Sequence, residues 1–213
     1  ALGPALGGAA TARVYARPDD FATALARGEV ALALVDAAYL AAGAPPPAVL
    51  AVAVIDDATA APWQLVARRG ASVLALRGRT IVAPAIGGRE AELVHRALWA
   101  GALGDRFARI DAAPDAASAI AAVALGKADA AAVPVATPLA DGVVRIAALP
   151  AVPHPVLVAY APIADRAALD AAIAGFRGAT PIHALAPAER ELVPALARRL
   201  APVDHRPPLV VPS

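Results

Sequence analysis

The first forty residues arrange polar and apolar positions in a way that predicts a helix followed by a strand. Asp20 to Arg27 place apolar side chains at helical spacing, and Gly28 follows, where a left-handed conformation ends a helix. The run from Val30 to Val35 is apolar on both faces, which is typical of a parallel strand buried between helices. With an extended segment from Ala12 to Ala16 ahead of it, this region predicts a strand, helix, strand unit.

The same order of elements returns in the second half of the chain. Phe107 to Ala112 predicts a strand, Ala116 to Leu125 predicts a helix that stops at Gly126, and Ala128 to Val133 predicts a second buried strand. A repeated unit of this kind predicts an α/β fold with two related halves.

In the rest of the chain, the spacing of apolar residues predicts further strands and helices between and after the two units. The predicted strands or extended segments are Trp63 to Arg68, Ile81 to Ala83, Val143 to Leu149 and Pro155 to Tyr160. The predicted helices are Arg89 to Ala100, Asp165 to Phe176 and Pro187 to Leu200, the last with a break at Pro194. The proline-rich tail from Pro202 to Ser213 is predicted to be extended.

Composition narrows the choice of function. The chain has 19 basic and 18 acidic residues, so no basic field that would hold nucleic acid or an anionic membrane is expected. It has no cysteine, which excludes disulfides and cysteine-ligated metals. The two longest uncharged stretches, Ala37 to Ile55 and Ile146 to Ala164, are interrupted by prolines, so no membrane span is predicted.

No residue pattern points to catalysis, a metal or a cofactor. Histidines with metal-ligand spacing are lacking, and so are serines in nucleophile motifs and glycine-rich nucleotide loops. The residues considered are His95, His154, His183 and His205, with Ser72, Ser118 and Ser213. We therefore expect a protein that is not an enzyme and that carries no cofactor.

Three segments, in their order and spacing, resemble the type II periplasmic solute-binding proteins, in particular the phosphate- and phosphonate-binding branch. They are residues 24–40, with Asp36 and Tyr39 after the strand, residues 76–83 and residues 124–130. The resemblance implies a two-lobed α/β fold, with a mostly parallel sheet flanked by helices in each lobe. Two crossing hinge strands, near Trp63 to Arg68 and Pro155 to Tyr160, would join the lobes.

The resemblance also implies lobe boundaries and two departures from the family. Residues 1–66 with 156–213 would form lobe I, and residues 67–155 would form lobe II. The family begins with a strand and a helix ahead of the segment equivalent to Ala12 to Ala16, so that element is expected to be missing or trimmed. Where the phosphonate branch has Ser and Thr at the first helix of lobe II, this chain has Ala85 to Arg89.

The candidate ligand residues of lobe I follow apolar runs. Asp36 and Tyr39 lie beyond the carboxyl end of a predicted strand, where open α/β sheets bind ligands. Alternatively, Asp36 caps a short helix and Tyr39 packs within the lobe. Trp63 and Gln64 precede the predicted hinge, where Trp63 forms either a wall of the cleft or ordinary hinge packing.

The candidate residues of lobe II lie ahead of a predicted helix and after a predicted strand. Gly87 and Gly88 could present backbone amides to an anion with help from Arg89, although nearby acidic residues oppose negative charge and a plain loop is the alternative. Thr137 holds the place in the second unit that corresponds to the polar exit of the first.

These features predict a non-catalytic solute-binding protein that closes two lobes over a small anionic or polar ligand, as in phosphate and phosphonate uptake. The chain begins at Ala1, which suits removal of a secretory signal and a periplasmic location. Membrane transporter subunits or another periplasmic protein are its expected partners. One alternative is a degenerate fold that acts in protein interactions without a ligand. A second is the sensing domain of a regulator, although no helix-turn-helix segment is present.

Overall fold

The computed structural model describes residues 9–41, 48–98, 109–178 and 181–200. Within them, the strands are β1 Leu32–Val35, β2 Ala48–Val54, β3 Ala60–Arg68, β4 Thr80–Pro84, β5 Arg109–Ala113, β6 Ala130–Pro134, β7 Val143–Pro153, β8 Val156–Ala159 and β9 Ala184–Pro187. The helices are α1 Pro18–Ala26, α2 Ala37–Ala41, α3 Glu90–Glu92 with its π-helical continuation Leu93–Leu98, α4 Ala116–Ala124, α5 Arg166–Ala174 and α6 Leu192–Leu200. A 3-10 turn covers Leu74–Leu76.

The strands form two separate sheets. The first has the order β1-β8-β2-β9, and the second has the order β5-β4-β6-β3-β7. The strands of the two predicted units therefore lie in different sheets, which agrees with a two-lobed molecule. The lobe boundaries at residues 66–67 and 155–156 stay a prediction.

The pairing within the sheets differs from the mostly parallel arrangement that was predicted. All neighbouring pairs of the first sheet are antiparallel: β8 returns from the second sheet and inserts between β1 and β2, and β9 pairs with the other edge of β2. In the second sheet, β4 is parallel to both β5 and β6, whereas β3 is antiparallel to β6 and β7. The predicted strand at Ala12 to Ala16 was also wrong, since these residues form no strand.

The chain crosses between the sheets twice, at adjacent positions. Ala53 donates its amide to the carbonyl of Pro155 at 2.8 Å, and His154 donates to Thr59 at 2.9 Å. The first crossing lies in residues 55–59, ahead of the predicted Trp63 to Arg68, because β3 pairs along its length within the second sheet. Asp56 and Asp57 make the turn there with φ of 49° and 59°, a conformation that aspartate tolerates better than most residues.

A single apolar cluster connects the two sheets. It includes Leu40 of α2 and Leu196 of α6 beside the first sheet, and Leu65 of β3 and Leu93 beside the second. Two smaller clusters are local, one under α4 in the second sheet and one under α5 in the first. The α1, α4 and α5 helices are confirmed within two or three residues of their predicted bounds.

The C-terminal part departs from the prediction at one helix. Pro187 ends β9, a strand that was not predicted, and the following helix begins at Leu192. Pro194 therefore lies in the first turn, where its missing amide breaks no hydrogen bond within the helix. The predicted tail from Pro202 onward, Trp99 and the start of the predicted strand at Phe107 lie outside the described residues. Across the described ranges, no helix combines the length and the apolar character that crossing a membrane requires.

Candidate ligand-binding cleft

Tyr39 brings the first sheet into contact with a turn of the second. It lies in α2, which begins directly after β1 and Asp36, and the Asp36 carbonyl accepts the amide of Leu40 at 3.1 Å. The Tyr39 ring packs against Gly87, the turn residue after β4: a β-carbon on Gly87 would lie 2.7 Å from Tyr39 Cδ2. Two predicted ligand residues that follow strands of different sheets therefore meet.

The Tyr39 ring also belongs to an aromatic cluster. Phe21 of α1 lies at its centre, with ring centroids 5.5 Å from Tyr15, 6.1 Å from Tyr39 and 6.0 Å from Tyr160. These are all three tyrosines of the chain. Desolvation, together with the neighbouring Tyr39 phenol, raises the pKa of Tyr160 above its usual value. The cluster fixes the Tyr39 ring from behind.

Asp36 occupies the exit of β1, as the sequence predicted. The residue is exposed, yet the protein packed around its carboxyl raises the pKa of Asp36 by desolvation. Its position ahead of α2 fits both readings made from the sequence, a ligand contact or a cap of the short helix. Its role as a ligand residue stays a prediction.

The amides of the Gly87–Gly88 turn bind a carboxylate of the protein itself. Both glycines have positive φ, 85° and 82°, which shapes the turn. Glu90 folds back so that its Oε1 accepts the Ile86 amide at 2.7 Å and the Gly88 amide at 3.1 Å. Only 7% of Glu90 is exposed. The turn that was predicted to bind an external anion therefore binds the Glu90 carboxylate instead.

Arg89 is engaged in an ion pair with its own helix. Its Nη1 lies 3.0 Å from Oε1 of Glu92, and both side chains are partly exposed. The cation predicted to assist anion binding is thus partly neutralised. An anion arriving at this turn would meet Glu90 and Glu92 together with Arg89, so the turn offers no net positive charge.

Trp63 and Gln64 lie inside the molecule. Trp63 is 7% exposed and belongs to the cluster that connects the sheets, which favours the packing alternative over a cleft wall. Gln64 is 4% exposed and donates its Nε2 to the Val135 carbonyl at 3.4 Å. Thr137, two residues further, is half-buried in the turn after β6, where its amide bonds Pro134 at 3.1 Å. These three residues lie together on β3 and in the turn after β6.

Sequence reasoning missed the part played by Glu90. The negative charge of Glu90 was counted only as an obstacle to an anion, whereas its carboxylate is the acceptor for the turn. A signal was present, because a carboxylate in the first helical turn commonly reaches back to preceding amides. Among the described residues, no group of three His, Asp or Glu side chains is arranged to hold a metal ion.

Comparisons with known proteins decide the fold. No family model matches the sequence, and no curated protein matches it. Solved structures do match. XAC2383 from Xanthomonas citri, bound to ATP, superposes with a TM-score of 0.71 at 13% identity over 93% of this chain and 89% of that one. PhnD1 from Prochlorococcus marinus, in complex with methylphosphonate, gives 0.67 at 13% identity, with the same coverage of 93% and 89%.

This chain has the type II periplasmic binding-protein fold. The binding component of a phosphonate ABC transporter from Pseudomonas aeruginosa also has this fold, with a TM-score of 0.63 at 11% identity over 93% of this chain and 76% of that one. The resemblance read from the sequence is therefore confirmed at the level of fold. The Tyr39–Gly87 contact joins residues that follow strands of the two different sheets of this fold.

Proposed function

We propose that this chain is a non-catalytic, periplasmic solute-binding protein whose two lobes close over a small polar ligand. The observation that carries the proposal is the contact of Tyr39 with Gly87. Each residue follows the carboxyl end of a strand in a different sheet, and loops at such ends are where open α/β sheets bind ligands. Similarity to the binding component of a phosphonate ABC transporter and to PhnD1, which binds methylphosphonate, supports it. The sequence assigned residues 1–66 with 156–213 to lobe I and residues 67–155 to lobe II. Because β3 pairs within the second sheet, we propose that the first boundary lies at the crossing in residues 55–59.

The contacts of Glu90 change the ligand that we expect. The sequence favoured an anionic or polar solute, with the Gly87–Gly88 amides holding the anion. The Gly88 amide, together with the Ile86 amide, already donates to the buried Glu90 carboxylate, and a phosphonate would have to displace that carboxylate against charge repulsion. We therefore propose a neutral or cationic polar ligand that uses Asp36 and Tyr39 on the lobe I side.

A ligand-stripped sample tests this proposal. The protein is unfolded, dialysed and refolded, and its thermal stability is then measured with neutral sugars, amino acids, amines, phosphate, methylphosphonate and sulfate. A ligand at 100 times its dissociation constant stabilises a protein by about 2.7 kcal/mol, which is readily seen. We expect stabilisation by a neutral or cationic compound and none by the three anions. Stabilisation by methylphosphonate would contradict the ligand class but retain the solute-binding role.

Matched variants then locate the ligand. Tyr39→Ala removes the ring that contacts Gly87. Tyr15→Ala is the control, because its ring contacts the same Phe21 but belongs to the segment ahead of α1. We expect the first variant to lose the ligand-induced shift and the second to keep it. Equal loss in both would place the ligand elsewhere or reflect a general weakening of the aromatic cluster.

A second candidate is an interaction protein that has kept the fold without a ligand. Two observations favour it. The apolar cluster joins both sheets, so separating the lobes would expose side chains such as Leu40 and Leu196, and Glu90 already fills the turn. If no compound of the panel stabilises the stripped protein, this second candidate replaces the first.

A further inference from the structure

Cationic side chains gather at one end of the second sheet, the end away from the Gly87 turn. We call this end the basic pole. The amino ends of β4 and β6 meet the carboxyl end of β3 there, since Ala67 pairs with Ala130, and the start of β7 joins them, since Arg68 pairs with Val143. Its exposed cationic residues are Arg68, Arg69, Arg77, Arg79, Lys127 and Arg145.

Contacts across the pole hold these segments together. The guanidinium of Arg68 lies against Gly126, where a β-carbon would be 3.3 Å from its Nη1, and Gly126 directly precedes Lys127. Thr80 donates its amide to Asp129 Oδ2 at 3.0 Å, and Asp129 returns its own amide to Thr80. The segment that carries Arg77 and Arg79 is thus tied to the segment that carries Lys127.

The charges at the pole are largely unbalanced. No ion pair involves any of its six cations within the described residues, whereas six other arginines of the described part have one. Asp129 and Asp141 are the carboxylates beside them, and Asp111 is bonded to Arg109 at 2.6 Å. The whole chain carries a net charge of only +1, so the fold concentrates a cationic field that the sequence average does not show.

Two exposed leucines lie at the same end. Leu74, in the 3-10 turn that leads to Arg77, is 78% exposed, and Leu125, which ends α4 just before Gly126, is 71% exposed. Large apolar side chains so fully exposed beside arginines are typical of protein interfaces, where Arg is enriched and Lys is depleted.

We propose that the basic pole docks an acidic surface of a partner protein. Five of its six cations are arginines, whose planar guanidinium groups bind carboxylates through two hydrogen bonds. The four neighbouring strand ends of the pole span about 15 Å. Leucines beside the cations fit a folded protein partner better than a phosphate backbone. The proposal is independent of the ligand cleft, which lies at the other end of β4.

A peptide probe tests the pole directly. The probe is an amphipathic peptide of alternating Glu and Leu, compared with a Glu and Ser peptide of equal charge, with vesicles containing phosphatidylglycerol, and with duplex DNA. We expect the Glu and Leu peptide to bind most tightly to the intact protein. Its binding should weaken as salt is raised, because exposed charges are screened. Tighter binding to vesicles or to DNA would overturn the proposal.

Charge reversal supplies the matched control. Arg77→Glu with Arg79→Glu changes two pole residues, and Arg17→Glu with Arg190→Glu makes the same change in net charge at exposed residues outside the pole. We expect the pole variant to bind the peptide about tenfold or more weakly and the control to stay within about twofold. An equal loss in both variants would mean that overall charge alone explains the binding.

Leucine replacement separates docking from general electrostatic attraction. Leu74→Ser with Leu125→Ser keeps every charge, and both side chains are exposed, so the fold is preserved. We expect binding of the Glu and Leu peptide to fall about threefold or more, while binding of the Glu and Ser peptide stays unchanged. Unchanged binding of both peptides would overturn the proposal of a protein-docking surface.

Discussion

Tyr39 and Gly87 touch so closely that the glycine has no room for a side chain: a β-carbon there would lie 2.7 Å from Tyr39 Cδ2. Tyr39 follows β1 in the first sheet, and Gly87 follows β4 in the second. The contact therefore links the segments that follow these two strands, at the proposed cleft. Any bulk added at Gly87 must push the Tyr39 ring or move these two segments apart.

Gly87→Ala is expected to destabilise the protein more than Gly88→Ala. Both glycines have φ near 80°, so either substitution strains the backbone by about 1–2 kcal/mol. Only Gly87 adds a collision, since a β-carbon on Gly88 would meet nothing within 4 Å. Urea unfolding of both variants measures the difference. Equal losses of unfolding free energy would show that the Tyr39 contact does not contribute to stability.

Removal of the Glu90 carboxylate is expected to leave two amides without a partner. Glu90→Ala should lower the free energy of unfolding by about 1–3 kcal/mol. Glu90→Gln should lower it less, because its amide oxygen can still accept hydrogen bonds from the Ile86 and Gly88 amides. Glu92→Gln is the control, since its partner Arg89 lies at the surface. Chemical denaturation compares the three variants. A loss from Glu92→Gln as large as that from Glu90→Ala would argue against the internal-anion role.

The vacated turn is expected to gain affinity for small anions. Glu90→Ala frees the Ile86 and Gly88 amides and removes a negative charge, so phosphate or methylphosphonate should raise its melting temperature more than that of the unaltered protein. Thermal shift at constant ionic strength checks this. If the unaltered protein responds to methylphosphonate as strongly as the variant does, Glu90 does not block the turn.

Asp36 is expected to make stability depend on pH. Desolvation by the protein packed around its carboxyl raises the pKa of Asp36 above its reference value of 3.8, so the folded protein holds this proton more tightly than the unfolded chain. Stability from this group is present below that reference value and is lost as pH rises through the raised pKa. Asp36→Asn should thus gain stability relative to the unaltered protein at neutral pH but not at acidic pH. A difference that is constant across urea titrations at several pH values would contradict this.

Leu196→Ala is expected to destabilise the protein strongly. Leu196 is 1% exposed and belongs to the cluster that joins the sheets. Its truncation leaves a cavity and should lower the free energy of unfolding by about 2–5 kcal/mol. Leu74→Ala is the control, since 78% of Leu74 is exposed and the change should stay within about 0.5 kcal/mol. Similar losses for both leucines in urea unfolding would refute the assignment of Leu196 to the shared core.

Local features of the fold were predictable from the sequence because they depend on neighbouring residues. Asp115 and Asp165 accept the Ser118 and Ala168 amides at the starts of α4 and α5, as aspartates at helix starts commonly do. The order of short segments also pointed to the two-lobed fold. Asp36 and Tyr39 were placed correctly at the exit of β1, since a strand ends where its apolar run ends.

Tertiary structure alone decided the features that join distant residues. The antiparallel first sheet exists because β8 returns from the second sheet and inserts between β1 and β2, a choice of partner that no local pattern encodes. The buried Glu90 carboxylate and the basic pole have the same origin. A charge becomes an internal acceptor or part of a field only when folding fixes its neighbours, and the pole collects residues from Arg68 to Arg145.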